Sequence, residues 1–357
     1  MNDSYTILVS NTPLPSKEIG SWTTRIDRFN KGNSTFDYIL SPNALGSSYV
    51  HCQKRKFITW KPTVRKIMLK YWVAKDFLRE IKTLAKSRKK LIIVVMDDLH
   101  LLEAIMGLKK TLNTPVKLIF SFHGFELKMS KELQENVDKV LFLTHLGYEQ
   151  SKRASGGFLP KVSVVGNAVD SEIFKLPTLK KKEELRSKLG IELNATVFIW
   201  MANDRPVKGL KMFRRIAEHY KNKGYEFLVI GNNHDYKDSY CTYLGKISNN
   251  KLGPYLQVGD YYIFTALTRE GFGLSLIEAY KCGNFVIAPS TGAIPEILKG
   301  LPNHLLMDNP EDFEAWKSII EKTVKIGTKK ISPKVIDEIW PYNAWEQKFL
   351  KAITIDL

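Results

Sequence analysis

The feature that most constrains this chain is an alternation of short apolar runs with amphipathic stretches. In the first half "YTILVS" (5–10), "FDYIL" (36–40), "LIIVVMDD" (91–98), "VKLIFSFHG" (116–124), "KVLFLT" (139–144) and "KVSVVGNAV" (161–169) read as strands. Helix-compatible segments, such as 63–86 and 99–112, lie between several of them. The second half repeats the style with "ATVFIWMA" (195–202), "YEFLVIG" (225–231), "CTYLG" (241–245), "YYIFTA" (261–266), "FVIAPS" (285–290) and "HLLM" (304–307). Apolar runs without a polar alternate mean strands buried on both faces, which is the condition of a parallel sheet covered by helices. Two such blocks in series predict an α/β protein with two doubly wound domains. The 357 residues agree, since a single core serves about 150 residues. The junction is "LPTLKKKEELRSKLGIELNA" (176–195), a proline and a charge run leading into a helix that closes on Gly190. The expected division is 1–172, 173–338 and a tail at 339–357. In that tail "WPYNAWEQKFLKAI" (340–353) forms a final helix packing back toward the N-terminal domain.

Composition narrows the class. With 44% hydrophobic and 25% charged residues the chain is globular rather than disordered. Its apolar runs, "LIIVV" (91–95) for example, are strand-sized and far below the roughly 20 residues of a spanning helix. The opening "MNDSYTILVS" has an acid and no charged head before an apolar stretch, so a cytoplasmic protein is expected. Cys52, Cys241 and Cys282 have no paired spacing and predict ordinary thiols. The net charge of +17 is concentrated: residues 1–175 carry 28 basic against 16 acidic residues, and residues 54–90 alone carry 14 against 2. The excess is 12 in both counts, so one segment holds the imbalance of the first half. It interleaves Phe57, Trp60, Tyr71, Trp72 and Phe77 with its cations, which suits an anionic membrane surface. A surface helix whose aromatics pack on the sheet is the alternative. Nucleic acid is not expected, because no binding motif accompanies the charge.

Ligands of such sheets sit at the carboxyl ends of strands. After "ATVFIWMA" comes "NDRPVKGL" (203–210), where Arg205 and Lys208 stand three apart on a turn eased by Gly209. Two cations at that mouth suit a diphosphate, although a solvated loop would carry the same residues. After "YYIFTALT" comes "REGFGLSLIEAYKCG" (269–283). Its Gly271-Phe272-Gly273 turn allows close backbone approach, and the helix that follows aims free N–H groups and its positive dipole end at the same place. Glu270 precedes this turn and Glu278 lies one turn into the helix. Carboxylates repel phosphate but accept hydroxyl donors, so a ligand with hydroxyls on both sides of a diphosphate, a nucleotide sugar, fits both. The plainer alternatives are a first-turn acid for Glu278 and a solvated loop charge for Glu270. No metal site is expected: "MDD" (96–98) lacks the Asp-x-Asp spacing, and the seven histidines show no ligand spacing.

These residues carry a family resemblance. "EGFGLSLIEAYKCGNFVIAPSTGAIPEIL" (270–298) resembles the signature of the GT-B retaining glycosyltransferases, in particular glycosyltransferase family 4 (the glycosyl transferases group 1). Two glutamates flank seven residues, and a strand and a Gly292, Pro295, Glu296 turn follow. "NDRPVKGL" resembles the Arg-x-x-Lys-Gly segment, "VVGNAVDSEIF" (164–174) the interdomain hinge, and "SFHGFE" (121–126) the strand ending in His-Gly. Departures are Ala168 where glycine is usual, "WMAND" in place of a glycine-arginine start, and Gly20-Ser21 where many members have two glycines. The resemblance implies a GT-B fold, two Rossmann-like domains facing across a cleft. It implies a retaining, metal-independent transferase without cofactor, whose substrate is a UDP- or GDP-linked sugar. Arg205 and Lys208 would neutralise the diphosphate, Glu278 hold the ribose, Glu270 and His123 contact the sugar, and Gly20 with Gly271, Phe272, Gly273, Leu274 and Ser275 line the donor. Lys246 and Ile247 would pass beside the base. The acceptor would be a glycan or lipid-linked, in cell-surface polysaccharide synthesis, with the enzyme peripheral on the inner face of the membrane. A GT-B epimerase acting on the nucleotide sugar and a non-catalytic nucleotide- or glycan-binding relative are the rivals. The intact Arg205, Lys208, Glu270, Glu278 set favours catalysis, and the glutamate spacing favours transfer.

Overall fold

The computed structural model describes residues 4–15, 21–43, 46–58, 61–87, 89–203, 205–231, 236 and 238–354. The chain divides into two compact units, Met1–Val165 with Glu346–Leu357, and Gly166–Trp345.

The first unit runs β1 (Ser4–Ser10), α1 (Ser21–Gly32), β2 (Tyr38–Ser41), β3 (Tyr49–His51), α2 (Pro62–Met68), a π-helical turn (Leu69–Val73), α3 (Lys75–Ala85), β4 (Lys90–Met96), α4 (Leu99–Lys109), β5 (Val116–Ser121), α5 (Lys131–Asn136), β6 (Lys139–Phe142), α6 (His145–Ala154) and β7 (Lys161–Val164). Its seven strands are ordered β3-β2-β1-β4-β5-β6-β7 and every pairing is parallel. The apolar runs explain this. Leu91 to Val95 of β4 are all buried, as are Leu118, Ile119 and Phe120 of β5 beside them. Each such side chain contributes about 1.5–3 kcal/mol on burial. Polar residues set the helix starts: Asp98, Ser130 and Thr144 accept N–H bonds at the beginnings of α4, α5 and α6.

The second unit runs α7 (Leu179–Lys188), β8 (Thr196–Met201), α8 (Leu210–Tyr220), β9 (Tyr225–Ile230), β10 (Thr242–Gly245), α9 (Gly253–Gln257), β11 (Tyr261–Ile263), α10 (Leu274–Lys281), β12 (Phe285–Pro289), α11 (Ile294–Leu298), β13 (His304–Met307), α12 (Phe313–Ile326), α13 (Pro333–Asp337) and the start of α14 (Tyr342–Thr354). Its six parallel strands are ordered β10-β9-β8-β11-β12-β13. Phe198, Trp200, Phe213, Tyr220, Ile263 and Trp316 pack in its core. From Glu346 onward α14 belongs to the first unit, where Phe349 lies edge-on to Phe29 and the Ala352 carbonyl accepts from Lys139 Nζ.

Both sheets have the two-winged Rossmann strand order that turns back on itself beside the first strand of each unit, so α/β with two doubly wound sheets is the observed class. Some details differ from the expectation. Strand β3 has only three residues, none fully buried, and leaves no apolar signature. The run at 261–266 leaves the sheet after Ile263, and the run at 161–169 leaves it after Val164. Helix 63–86 is interrupted by the π turn at Leu69–Val73. The aromatics of the basic segment divide between the two readings offered for them: Phe77 is fully buried in the core, whereas Tyr71 is 64% and Trp72 43% exposed. Trp60 lies outside the described residues. The three cysteines are free thiols. Among the described residues no helix is long and apolar enough to cross a membrane.

Candidate active site

In the second unit the strand order reverses between β8 and β11. That switch point opens a crevice at the carboxyl ends of the two strands, where doubly wound sheets take ligands. The segments that leave those ends are 202–209 and 264–273, which contain Arg205, Lys208 and Glu270.

The two segments are clamped together. Thr265 Oγ1 shares its one hydrogen between the carbonyls of Gly209 (2.8 Å) and Lys208 (3.1 Å) and accepts from Trp200 Nε1 (2.9 Å). The Leu267 N–H donates to the Val207 carbonyl at 2.8 Å. Gly209 has φ +76°, and a Cβ there would lie 1.9 Å from the Thr265 carbonyl oxygen, so only glycine permits this approach. The clamp sets Lys208 beside Glu270, and Lys208 Nζ lies 2.5 Å from Glu270 Oε1 with both side chains largely buried (14% and 19% exposed). Glu270 is braced from behind. Its carbonyl accepts the Ala293 N–H, and Gly292 packs so tightly that a Cβ would come within 2.6 Å of the Glu270 nitrogen. The Gly-x-x-Pro-Glu turn thus supports the loop that carries the carboxylate.

Helix α10 starts at Leu274 behind Gly273, whose backbone is left-handed (φ +77°) and which supplies no side-chain cap. The Leu276 N–H donates to the Gly273 carbonyl, and the N–H groups of Leu274 and Ser275 have no side-chain cap. Phe272 is buried edge-on to Trp340 and anchors the turn. The Ser275 hydroxyl hydrogen-bonds the buried Tyr262 phenol, which itself donates to the Met201 carbonyl. Glu278 lies beyond the first turn of α10 and is 7% exposed, so it is neither a first-turn surface acid nor solvated. Burial pushes its carboxyl up to about 7, partly offset by Asn249 Nδ2, which donates to Glu278 Oε1 at 3.4 Å. Asn249 follows β10 by the same loop as the exposed Lys246 and half-buried Ile247, which places that loop beside Glu278.

Arg205 stands apart from this pair. Its side chain is exposed, its Nε donates to Asn203 Oδ1 at 3.2 Å, and it lines a cavity of about 540 Å³ with Trp200, Lys211, Arg215 and Tyr236. Neither Lys208 nor Glu270 lines that cavity.

In the first unit His123 follows β5. Its backbone N–H donates to Asp97 Oδ1 (2.9 Å), its Nε2 lies 3.1 Å from Ser121 Oγ, and its ring meets Trp22 edge-on. Burial, and secondarily the Arg25 charge, push the imidazole down to about 3, so the ring is neutral at physiological pH. Its Nδ1 is shielded from solvent and has no hydrogen-bond partner among the described residues. Asp97 itself has left-handed backbone (φ +46°) at the strand end, a conformation aspartate adopts more readily than most side chains. Gly20 lies outside the described residues. Asn249, Thr265 and Asp97 were not identified from sequence. The first two act through contacts 29 and 57 residues away along the chain, which no local pattern encodes.

Residues 195–325 match the model of the family described as glycosyl transferases group 1. The chain is 28% identical over 186 residues to the phosphatidylinositol N-acetylglucosaminyltransferase GPI3 subunit of Saccharomyces cerevisiae, covering 48% of this chain and 39% of that protein. It therefore spans about two fifths of that relative's length. It is 22% identical over 314 residues to the lipopolysaccharide 1,2-N-acetylglucosaminetransferase of Salmonella typhimurium, covering 79% and 78% of the two chains. Among solved structures it superposes on Anabaena HepE in complex with UDP and glucose at TM-score 0.74 and 14% identity, covering 98% and 99%. It superposes equally on the sucrose-phosphate synthase of Thermosynechococcus elongatus (0.74, 14%, 97% of each). The chain thus has the GT-B glycosyltransferase fold, and its second unit carries the glycosyl transferases group 1 pattern over residues 195–325.

Proposed function

We propose that the protein is a glycosyltransferase that takes a sugar from a nucleotide diphosphate donor held in the second unit. One observation carries this: Lys208 and Glu270, delivered by two different strands, meet at the switch point beside an uncapped helix start. The arrival of a donor exchanges partners. Lys208 leaves Glu270 for the diphosphate, and Glu270 is released to accept a hydroxyl of the transferred sugar. Glu278, oriented by Asn249, accepts the ribose hydroxyls, and the backbone near Lys246 and Ile247 flanks the base. Negative charge then builds on the leaving diphosphate as the sugar becomes oxocarbenium-like. Lys208 and the N–H groups of Gly271 to Leu274 are fixed before reaction and stabilise that charge, an effect worth about 10²–10³ in rate per donor group in comparable sites. Arg205 joins them by turning from Asn203.

Retention of anomeric configuration and independence of a metal are part of this proposal, supported by the resemblance of residues 270–298. So are contacts of His123 and Gly20 with the sugar. For His123 the support is its neutral ring and unpartnered Nδ1. UDP is the first donor base to test, since the HepE complexes hold UDP, and N-acetylglucosamine the first sugar, since both named relatives transfer it.

The acceptor we propose is a lipid-linked or envelope glycan acceptor at the cytoplasmic membrane face. Its support is a stripe of exposed Val64, Ile67 and Tyr71, and beside it a groove of about 390 Å³ lined by Lys70, Lys75, Arg79, Lys82 and Lys86, of which Arg79 pairs with Glu80. Turnover of UDP-N-acetylglucosamine by the wild type and by Lys208→Ala tests the assignment. Equal turnover by both would refute it.

A further inference from the structure

Between α13 and α14, Trp340 has left-handed backbone (φ +47°), an outlier for so bulky a side chain. The conformation is held by the stretch of chain that opens the second unit. The Val169 N–H donates to the Trp340 carbonyl at 3.0 Å, and Val169 forms a parallel bridge with Pro341. Gly166, with φ +73°, lies against the indole, where a Cβ would come 3.1 Å from Cζ3. The same indole meets the ring of Phe272 edge-on, with centroids 4.9 Å apart. Phe272 has the only side chain of the Gly271-Phe272-Gly273 turn, and it is buried. Glycine on either side leaves that backbone free to rotate, so the hold on Phe272 decides how the turn's N–H groups are aimed. Helix α10 behind the turn is fastened separately, by Lys281 in its last turn, which donates to the carbonyls of Ile336 and Ile339. Segment 336–340 thus holds the helix by one contact and the turn by another.

We propose that Trp340 is a positioning residue for donor binding, which acts through Phe272 to aim the N–H groups of the Gly271-Phe272-Gly273 turn at the diphosphate. A sparsely populated backbone conformation persists only where its surroundings over-determine it, and the pairing with Val169 does so here. This rests on the donor reading above and divides the nucleotide in two. The diphosphate half depends on Trp340. The base and ribose half, at Glu278 and the loop after β10, does not, because Lys281 keeps α10 in place without the indole.

The full chain and its Trp340→Ala, Trp340→Leu and Trp340→Phe variants are titrated with UDP and GDP and with the matching nucleosides, uridine and guanosine, and each protein is melted alongside. Trp340→Ala is expected to bind the nucleoside diphosphate that wild type prefers about tenfold more weakly, the size of one or two hydrogen bonds to a charged group. The nucleoside, which has no diphosphate, should bind both proteins alike. Trp340→Phe keeps a ring to meet Phe272 and should recover most of the loss. If Trp340→Ala does not fold, Trp340→Leu, which keeps apolar bulk but no ring edge, takes its place with the same expected split. A variant that loses nucleoside and nucleoside diphosphate in equal proportion shows that Trp340 only stabilises the unit and overturns the proposal. So does a folded Trp340→Ala or Trp340→Leu that binds the diphosphate as wild type does. In either case the donor reading stands, because wild type still binds. If wild type binds neither UDP nor GDP, the donor reading fails and the proposal falls with it.

Discussion

Glu278→Gln should stabilise the protein and weaken its ligand at once. In the fold the carboxyl keeps its proton up to a pH of about 7, whereas an unfolded glutamate releases it near 4.5. The native state thus binds more protons than the unfolded state in that window, and this group's contribution to stability falls as pH rises from 4.5 through 7. A shift of that size corresponds to about 3 kcal/mol, since one pH unit is about 1.4 kcal/mol. Glutamine keeps the acceptor for Asn249 and removes the ionisation. The variant should therefore match wild type near pH 4.5 and exceed it by up to about 3 kcal/mol at pH 8. For the 180 residues of the second unit (166–345) this is a rise of roughly 6–12 °C in melting temperature. Thermal melts of both proteins from pH 5 to 8 read the effect. At pH 8, where the Glu278 carboxyl is ionised, nucleotide binding should move the other way, weakened about 10–100-fold by loss of charge-assisted hydrogen bonds to the ribose. A variant whose stability parallels wild type at every pH, or that binds nucleotide as tightly, refutes the placement of Glu278 as a buried acid poised for hydroxyls.

Further expectations concern the clamp and the ion pair. Lys208→Ala should lower donor turnover about 10²–10³-fold in steady-state assays, and Lys208→Arg should rescue it only in part because the partner sits in a tight, oriented pair. Gly209→Ala forces a Cβ against the Thr265 carbonyl and strains a left-handed residue; denaturant titration should show a loss of about 3–5 kcal/mol. Lys281, fully buried, donates to the carbonyls of Ile336 and Ile339, and the Ile336 carbonyl also accepts the Ile339 N–H; Lys281→Met should therefore cost about 1–3 kcal/mol in the same titration, by removing the lysine donor from the buried Ile339 carbonyl.

Both sheets were legible because their strands are buried on both faces, and burial writes a continuous apolar run. Strand β3 escaped because it is a half-buried edge with no such run. The Glu270 and Glu278 pair and the Gly271-Phe272-Gly273 turn could be read because backbone geometry demands glycine where α10 begins. What sequence could not give was pairing at a distance. Nothing near Lys208 announces that Thr265 fastens its turn, or that Lys208 and Glu270 neutralise each other while Arg205 faces Asn203. The Asn249 contact to Glu278 depends in the same way on where a loop after β10 happens to return. Local pattern locates the mouth of the site, and tertiary contacts decide which side chains fill it.

Equilibrium titration of the protein with UDP- and GDP-linked sugars, repeated with Lys208→Ala and Glu278→Gln, tests the central claim most directly. Saturable binding of at least one nucleotide sugar by wild type, weakened at least tenfold in each variant, is the predicted result. No saturable binding of any such donor, or binding that both variants retain unchanged, would contradict it.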